Sequence, residues 1–268
     1  MYSSTNDLSK LAKAILKSSL LKPVETRRWL KPYANTASLQ ASVGAPWEIQ
    51  RVVRDTSDKE VIELYTKSGN TGLYSSLLVL IPDYEVAFTV LAAGDEPLLV
   101  TMLSEMIAQK FLPVIYQISK EETTGAFGGM YKSTGSINTT LSLIWDDGPG
   151  LLVNRMISNG TDLIAVFQKF GGFMVEARIY PTGLINPVGS NNSTAEVSWR
   201  SIFRTSPILN SSYTPIEIFN QDCVSWSGVD ATTYGNNGLD DFVFQVDQHG
   251  KAVSVESQAL RIALAKTS

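Results

Sequence analysis

The chain has 268 residues, 44% of them hydrophobic and 18% charged, enough for one large or two ordinary globular domains with a sizeable core. Its formal net charge of −4 comes without an acidic or basic block, which argues against nucleic acid and anionic lipid as partners. One cysteine, Cys223, and one histidine, His249, exclude an intrachain disulfide, a multi-cysteine metal site and a histidine-based metal cluster.

The opening SSTNDLSKLAKAILKSSLL places Leu8, Leu11, Ala12, Ile15 and Leu16 at helical spacing behind the cap candidates Ser4, Thr5 and Asn6. PVETRRWL predicts a second, short helix, with Pro23 at a first-turn position and Glu25 just after it. ASLQASVG and PWEIQRVV read as strands, with Gly44-Ala45-Pro46 as punctuation. Three further strands are expected over 59–67, 72–81 and 85–92; SLLVLI and AFTVLA within them have the near-continuous apolar character of central strands covered on both faces. Pro82-Asp83-Tyr84-Glu85 interrupts the apolar window Leu73–Ala93, short of the ~20 unbroken residues that a bilayer span needs, so that window reads as a hairpin and no membrane span is expected. DEPLLVTMLSEMIAQKFLPVIY then predicts a long helix ending near Pro113, with Asp95 as cap and Leu98, Met102, Met106, Ile107 and Phe111 packed on the sheet.

From about residue 119 the texture changes to short segments with period-two alternation and recurrent turn signals: AFGGMYKS, NTTLSLIWDD, FMVEARIYPTG, AEVSWRSIF and DFVFQVDQHGKAV. The segment PGLLVNRMISNGTDLIAVFQKF fits strands and a helix hairpin equally. Asp146-Asp147 and Asp240-Asp241 read as solvated turns, and Trp199 and Trp226 as core or rim packing. His249 falls in a hairpin turn, a poor place for the base of a Ser-His-Asp triad. The N-terminus lacks the basic, apolar and small-residue regions of a secretory signal. Glycosylation acceptors at Asn138, Asn159, Asn191, Asn192 and Asn210 nevertheless favour a secretory route.

Chemistry concentrates at LYTKSGNTGLYSSLLVLIPDYEVAFTVL, where the triplet Lys67-Ser68-Gly69 ends one predicted strand and two apolar strands follow. Together with YSSTNDLSKLAKAIL and LLKPVETRRWLKP, this segment resembles the fungal branch of the β-lactamase-like, class C and penicillin-binding-protein-like serine hydrolases. The resemblance implies an α+β fold: a partial β-lactamase- or transpeptidase-like antiparallel sheet with helices in residues 1–118, the C-terminal half of a hydrolase domain. Residues 119–268 would follow as an all-β extension, barrel- or sandwich-like.

It also implies an acyl-enzyme route on an amide, ester or β-lactam carbonyl, with no cofactor, no metal and a small-molecule acyl substrate. In such a site Lys67 supplies positive potential and helps hold a substrate carboxylate, Ser68 hydrogen-bonds that carboxylate and Gly69 lets the acyl group lie against bare strand. The Asn70 N–H supplies part of an oxyanion hole, a donor whose loss costs about 10² to 10³ in rate. Secretion of the full-length family member belongs to the same expectation.

The family further uses a Ser-x-x-Lys nucleophile motif and a Tyr-x-Asn motif. Ser19-Leu20-Leu21-Lys22 and Tyr33-Ala34-Asn35 match these literally and precede Lys67 in the family's order. Pro23, however, disfavours helical geometry at Lys22, and without a helical turn Ser19 and Lys22 need not face each other. Tyr33 follows Ser19 by only 14 positions and Lys67 follows Asn35 by 32, with no room for a helical domain between the motifs. Both matches therefore read as coincidence. The expectation is a chain that holds one wall of a hydrolase pocket, lacks nucleophile and base, and is inactive alone. The alternative is a non-catalytic binding or interaction module on the same scaffold.

Overall fold

The Ser4 side chain accepts the Asp7 N–H at 3.2 Å and so starts helix α1, Thr5–Leu16, whose apolar stripe buries Ala12 and Ile15. Pro23 opens α2, Pro23–Trp29. The computed structural model to which these elements belong describes residues 3–53, 61–96, 98–171, 174–188, 194–206 and 225–267. The acceptors Asn191, Asn192 and Asn210, and Cys223, lie outside the described residues. The chain is α+β and divides into two units, Met1–Ser119 and Lys120–Ser268.

In the first unit the strands are β1 (Ala34–Asn35), β2 (Ala41–Val43), β3 (Glu48–Val53), β4 (Val61–Thr71), β5 (Tyr74–Ile81) and β6 (Val86–Ala93). They form an antiparallel sheet in sequence order. Period-two alternation decides the two cores. Ile49, Tyr65 and Leu80 pair across β3, β4 and β5 and share a cluster with Ala12 and Ile15 of α1. Ile62, Leu64, Val79 and Ile81 point the other way, onto Leu112 and Ile115 of helix α3, Leu99–Phe127. SLLVLI is therefore a central strand covered on both faces. AFTVLA is not central: β6 lies at the sheet edge among the described strands.

Two expectations for α3 are corrected. The helix runs through Pro113 to Phe127, because Leu112 and Ile115 bury on either side of the proline and hold the turn in place of the missing N–H. Its core stripe is Val100, Ser104, Leu112 and Ile115, whereas Leu98, Met102 and Met106 are exposed. Of the five residues expected on the sheet, Phe111 packs there and Ile107 stays 38% exposed. Apolar residues stand on both sides of this helix, so periodicity alone cannot choose the buried one. By length and composition α3 is also long and apolar enough to cross a membrane, a test that a core-packing helix passes too.

The second unit is built on β7 (Gly129–Lys132), β8 (Thr140–Ile144), β9 (Leu151–Ser158), β10 (Thr161–Asp162), β11 (Met174–Val188) and β12 (Thr194–Ser206). After the small hairpin β13 (Thr233–Tyr234) and β14 (Asn237–Gly238) come β15 (Asp241–Val246), β16 (Ala252–Ser257) and β17 (Ile262–Thr267). The main sheet runs β10-β9-β11-β12-β15-β16-β17-β7-β8, and β8 pairs again with β9. Its core holds Tyr131, Trp199, Phe242 and Phe244, with the Phe127 ring packed at a tilt against Trp199. The ambiguous segment resolves into β9, a turn through Asn159 and Gly160 at positive φ, then β10 and helix α4, Leu163–Gly171.

Candidate functional site

Lys67-Ser68-Gly69 does not end its strand. β4 continues to Thr71, while β3 begins at Glu48 opposite Thr66, so residues 67–71 of β4 run past the end of their neighbour. β3 stops there because the chain turns toward β2 through Gly44-Ala45-Pro46-Trp47, closed by the Gly44 N–H on the Trp47 carbonyl at 2.8 Å. A Cβ at Gly44 would stand 2.9 Å from the Trp47 Cβ, so this turn needs glycine. Trp47 itself is buried against Trp29 and Tyr65 and anchors the base of the turn. On its other side β4 is fully paired to β5, Lys67 with Leu78 and Gly69 with Ser76.

The exposed β4 edge is not bare. The Ser68 N–H donates to Glu48 Oε2 at 3.1 Å and the Ser68 hydroxyl donates to Glu48 Oε1 at 3.0 Å. The Lys67 ammonium forms an ion pair with the same carboxylate and donates to the Ser68 carbonyl at 3.3 Å. Burial raises the Glu48 pKa, but the Lys67 and Ser68 donors outweigh it and hold the carboxyl below its ordinary value. N–H directions alternate along an antiparallel strand, so the Asn70 N–H faces the same open side as that of Ser68, beyond the end of β3. Gly69 leaves room on the opposite flank: a Cβ would approach Ser76 Oγ to 2.8 Å. Sequence reading singled out Lys67, Ser68, Gly69 and Asn70 and missed Glu48. Its signal was the β3–β4 register, which sets Glu48, the first residue of β3, opposite Thr66 and so within side-chain reach of residues 67 and 68.

The look-alike motifs do not assemble with this edge. Ser19 follows the end of α1, where its hydroxyl donates to the Ala14 carbonyl at 3.0 Å. Lys22 is the extended residue that precedes α2, so the two do not share a helical turn. Tyr33 is 86% exposed, and Asn35 Oδ1 accepts the Ser42 hydroxyl at 3.1 Å. A cavity of about 150 Å³ lies between α1 and strands β5 and β6, lined by Ala12, Leu16, Leu78 and Phe88. Its lining does not include Lys67–Asn70.

In the second unit Asn138 and Asn159 are exposed at adjoining turns, where the Gly160 N–H donates to the Asn138 carbonyl at 2.8 Å. His249 is exposed in the β15–β16 hairpin. Asp240 is a correction: it is 4% exposed and pairs with Arg200 at 3.1 Å, while its Oδ1 accepts the Asp230 N–H at 3.2 Å. A guanidinium 40 residues away in sequence turns that loop inward. Asp146 does sit in a turn, but Arg178, with its side chain 4% exposed, clamps it. Among the described residues no group of three or more His, Cys, Asp or Glu could hold a metal ion.

Residues 119–268 match the family described as "Beta-lactamase-like-like, C-terminal domain". The chain is 31% identical over 284 aligned positions to a β-lactamase-like protein of Arthroderma benhamiae, covering 97% of this chain and 48% of the relative. It is 25% identical to the probable hydrolase M10 of a Phoma species and 25% identical to the probable hydrolase clz13 of Cochliobolus lunatus. These alignments cover 99% of this chain and 45% and 44% of the two relatives. The chain thus spans about half the length of the curated relatives it matches. No solved structure matches it. Since the family match takes in more than half of the chain, this protein belongs to the β-lactamase-like family.

Proposed function

We propose that this chain supplies one wall of the pocket of a serine acyl hydrolase acting on an amide, ester or β-lactam carbonyl, and that nucleophile and base come from the part of the relatives it does not span. The observation that carries this reading is the β4 edge beyond Glu48, where Lys67, the Ser68 hydroxyl and the Asn70 N–H line one open side. In the complete site the Asn70 N–H would donate to the developing oxyanion and Gly69 would keep the strand surface bare. The exposed Met102 and Met106 on α3, with Leu98 just before it, and the edge of β6, which pairs with no further strand among the described residues, support a first unit that is completed by further chain. The cycle of pairings from β9 round to β8 supports reading the second unit as a barrel.

The test is a burst assay with p-nitrophenyl acetate on the purified chain. No stoichiometric burst is the expected result. A burst abolished by Ser19→Ala would overturn the proposal, because Ser19 would then be a nucleophile within this chain.

The exposed Asn138 and Asn159 support a secreted, glycosylated form. Expression through a fungal secretory host followed by glycosidase treatment should lower the mass, and an unchanged mass would remove this part of the reading.

The α3 stripe also favours a second reading, a non-catalytic interaction module. Saturable protein binding without any acyl turnover, lost on Met106→Glu, would support it over the first.

A further inference from the structure

The donors at the β4 edge already hold a carboxylate. Glu48 places both of its oxygens on them: Oε1 takes the Ser68 hydroxyl at 3.0 Å and the Lys67 ammonium, and Oε2 takes the Ser68 N–H at 3.1 Å. Three donors of this kind satisfy one carboxylate well and a second one poorly. A ligand carboxylate brought to the same donors would meet a negative charge at contact distance, with Lys67 already neutralised. An uncharged acyl group faces no such penalty, and the next donor on that side of the edge, the Asn70 N–H, points toward the same open side. Glu48 is held by more than this contact: its backbone carbonyl accepts the Thr66 hydroxyl at 2.6 Å, and its neighbour Trp47 is buried. The carboxylate is thus presented from a fixed strand end.

We propose that Glu48 is a specificity-determining residue that fills the Lys67–Ser68 cradle with its own carboxylate, so that this pocket wall accepts uncharged esters and amides and rejects acyl compounds carrying a neighbouring carboxylate. The inference rests on the reading of Lys67–Asn70 as a pocket wall.

The experiment is a titration of the full chain with methyl phenylacetate and with phenylacetate, followed by the amide NMR signals of Ser68 and Asn70. In the wild type the ester should give a saturable shift and the anion none. In Glu48→Ala the anion should gain about tenfold or more in affinity, since a like-charge contact costs more than the 1.4 kcal/mol that a factor of ten represents. Glu48→Gln keeps the shape of the strand end and serves if the alanine variant does not fold; removal of the charge should give a smaller gain of the same sign. Adding Lys67→Gln to either variant should abolish that gain. If phenylacetate binds wild type and Glu48→Ala alike, the role of Glu48 is wrong while the wall stands. If neither probe moves Ser68 or Asn70 in any variant, the wall reading fails together with the inference.

Discussion

The Ser68 N–H reaches Glu48 Oε2 at 3.1 Å, in the place where a main-chain carbonyl would stand had β3 continued one step further. A side chain thus finishes the ladder that the turn at Pro46 interrupts, and it does so with a charge. The neighbouring N–H on that side, Asn70, is left facing outward.

This cap should make stability depend on pH. The Glu48 carboxyl is held below its ordinary value, so its contribution is fully present above the ordinary glutamate range and is lost as pH falls through the lowered folded-state value. With the side chain 40% exposed, the contribution stays under about 1 kcal/mol. Urea denaturation of wild type and Glu48→Gln should therefore differ slightly at neutral pH and coincide in strong acid. An equal difference at both would show that the contact is not electrostatic.

Removing Arg178 should cost far more. Its guanidinium is almost fully buried, donates to Glu176 Oε1 at 2.7 Å and to the Pro149 carbonyl at 3.0 Å, and grips Asp146. Burial and the Arg178 hydrogen bonds act oppositely on Asp146, and the hydrogen bonds win, holding its carboxyl below its ordinary value. Arg178→Ala should destabilise the second unit by about 1 to 3 kcal/mol in chemical denaturation, because the Pro149 carbonyl and the Asp146 and Glu176 carboxylates lose their charged hydrogen-bond donor and a buried side chain is removed. Gly148→Ala should act in the same direction, since its Cβ would collide with the Arg178 guanidinium.

The two sides of α3 offer a direct contrast. Ile115 is 8% exposed and packs on the sheet, whereas Met106 is 62% exposed. Ile115→Ala should lower stability by about 2 to 4 kcal/mol, and Met106→Ala should stay within about 0.5 kcal/mol, both read from denaturation midpoints. The reverse order would put the core on the stripe that periodicity first picked out.

Gly69 and Ser76 should prove coupled. Ser76 Oγ donates to the Gly69 carbonyl at 3.2 Å and would crowd any Cβ at position 69. Gly69→Ala should cost about 1 kcal/mol, and the same change on a Ser76→Ala background should cost less. Strictly additive effects in the double-mutant cycle would show that the two do not touch in solution.

Local patterns in the chain were sufficient for α1 with its Ser4 cap, for α2 behind Pro23, for the strands around SLLVLI and DFVFQV, and for the Lys67-Ser68-Gly69 triplet. Each of these depends on neighbours within a few residues, where spacing and capping act. The tertiary structure alone decided the rest. It buried Leu112 and Ile115 around Pro113 and so carried α3 past a helix-breaking residue. It drew Asp240 onto Arg200, and it set the Glu48 carboxylate on donors 19 and 20 residues away. Those outcomes are competitions between apolar faces or charges that meet only when strands align, and no window of the sequence holds both competitors.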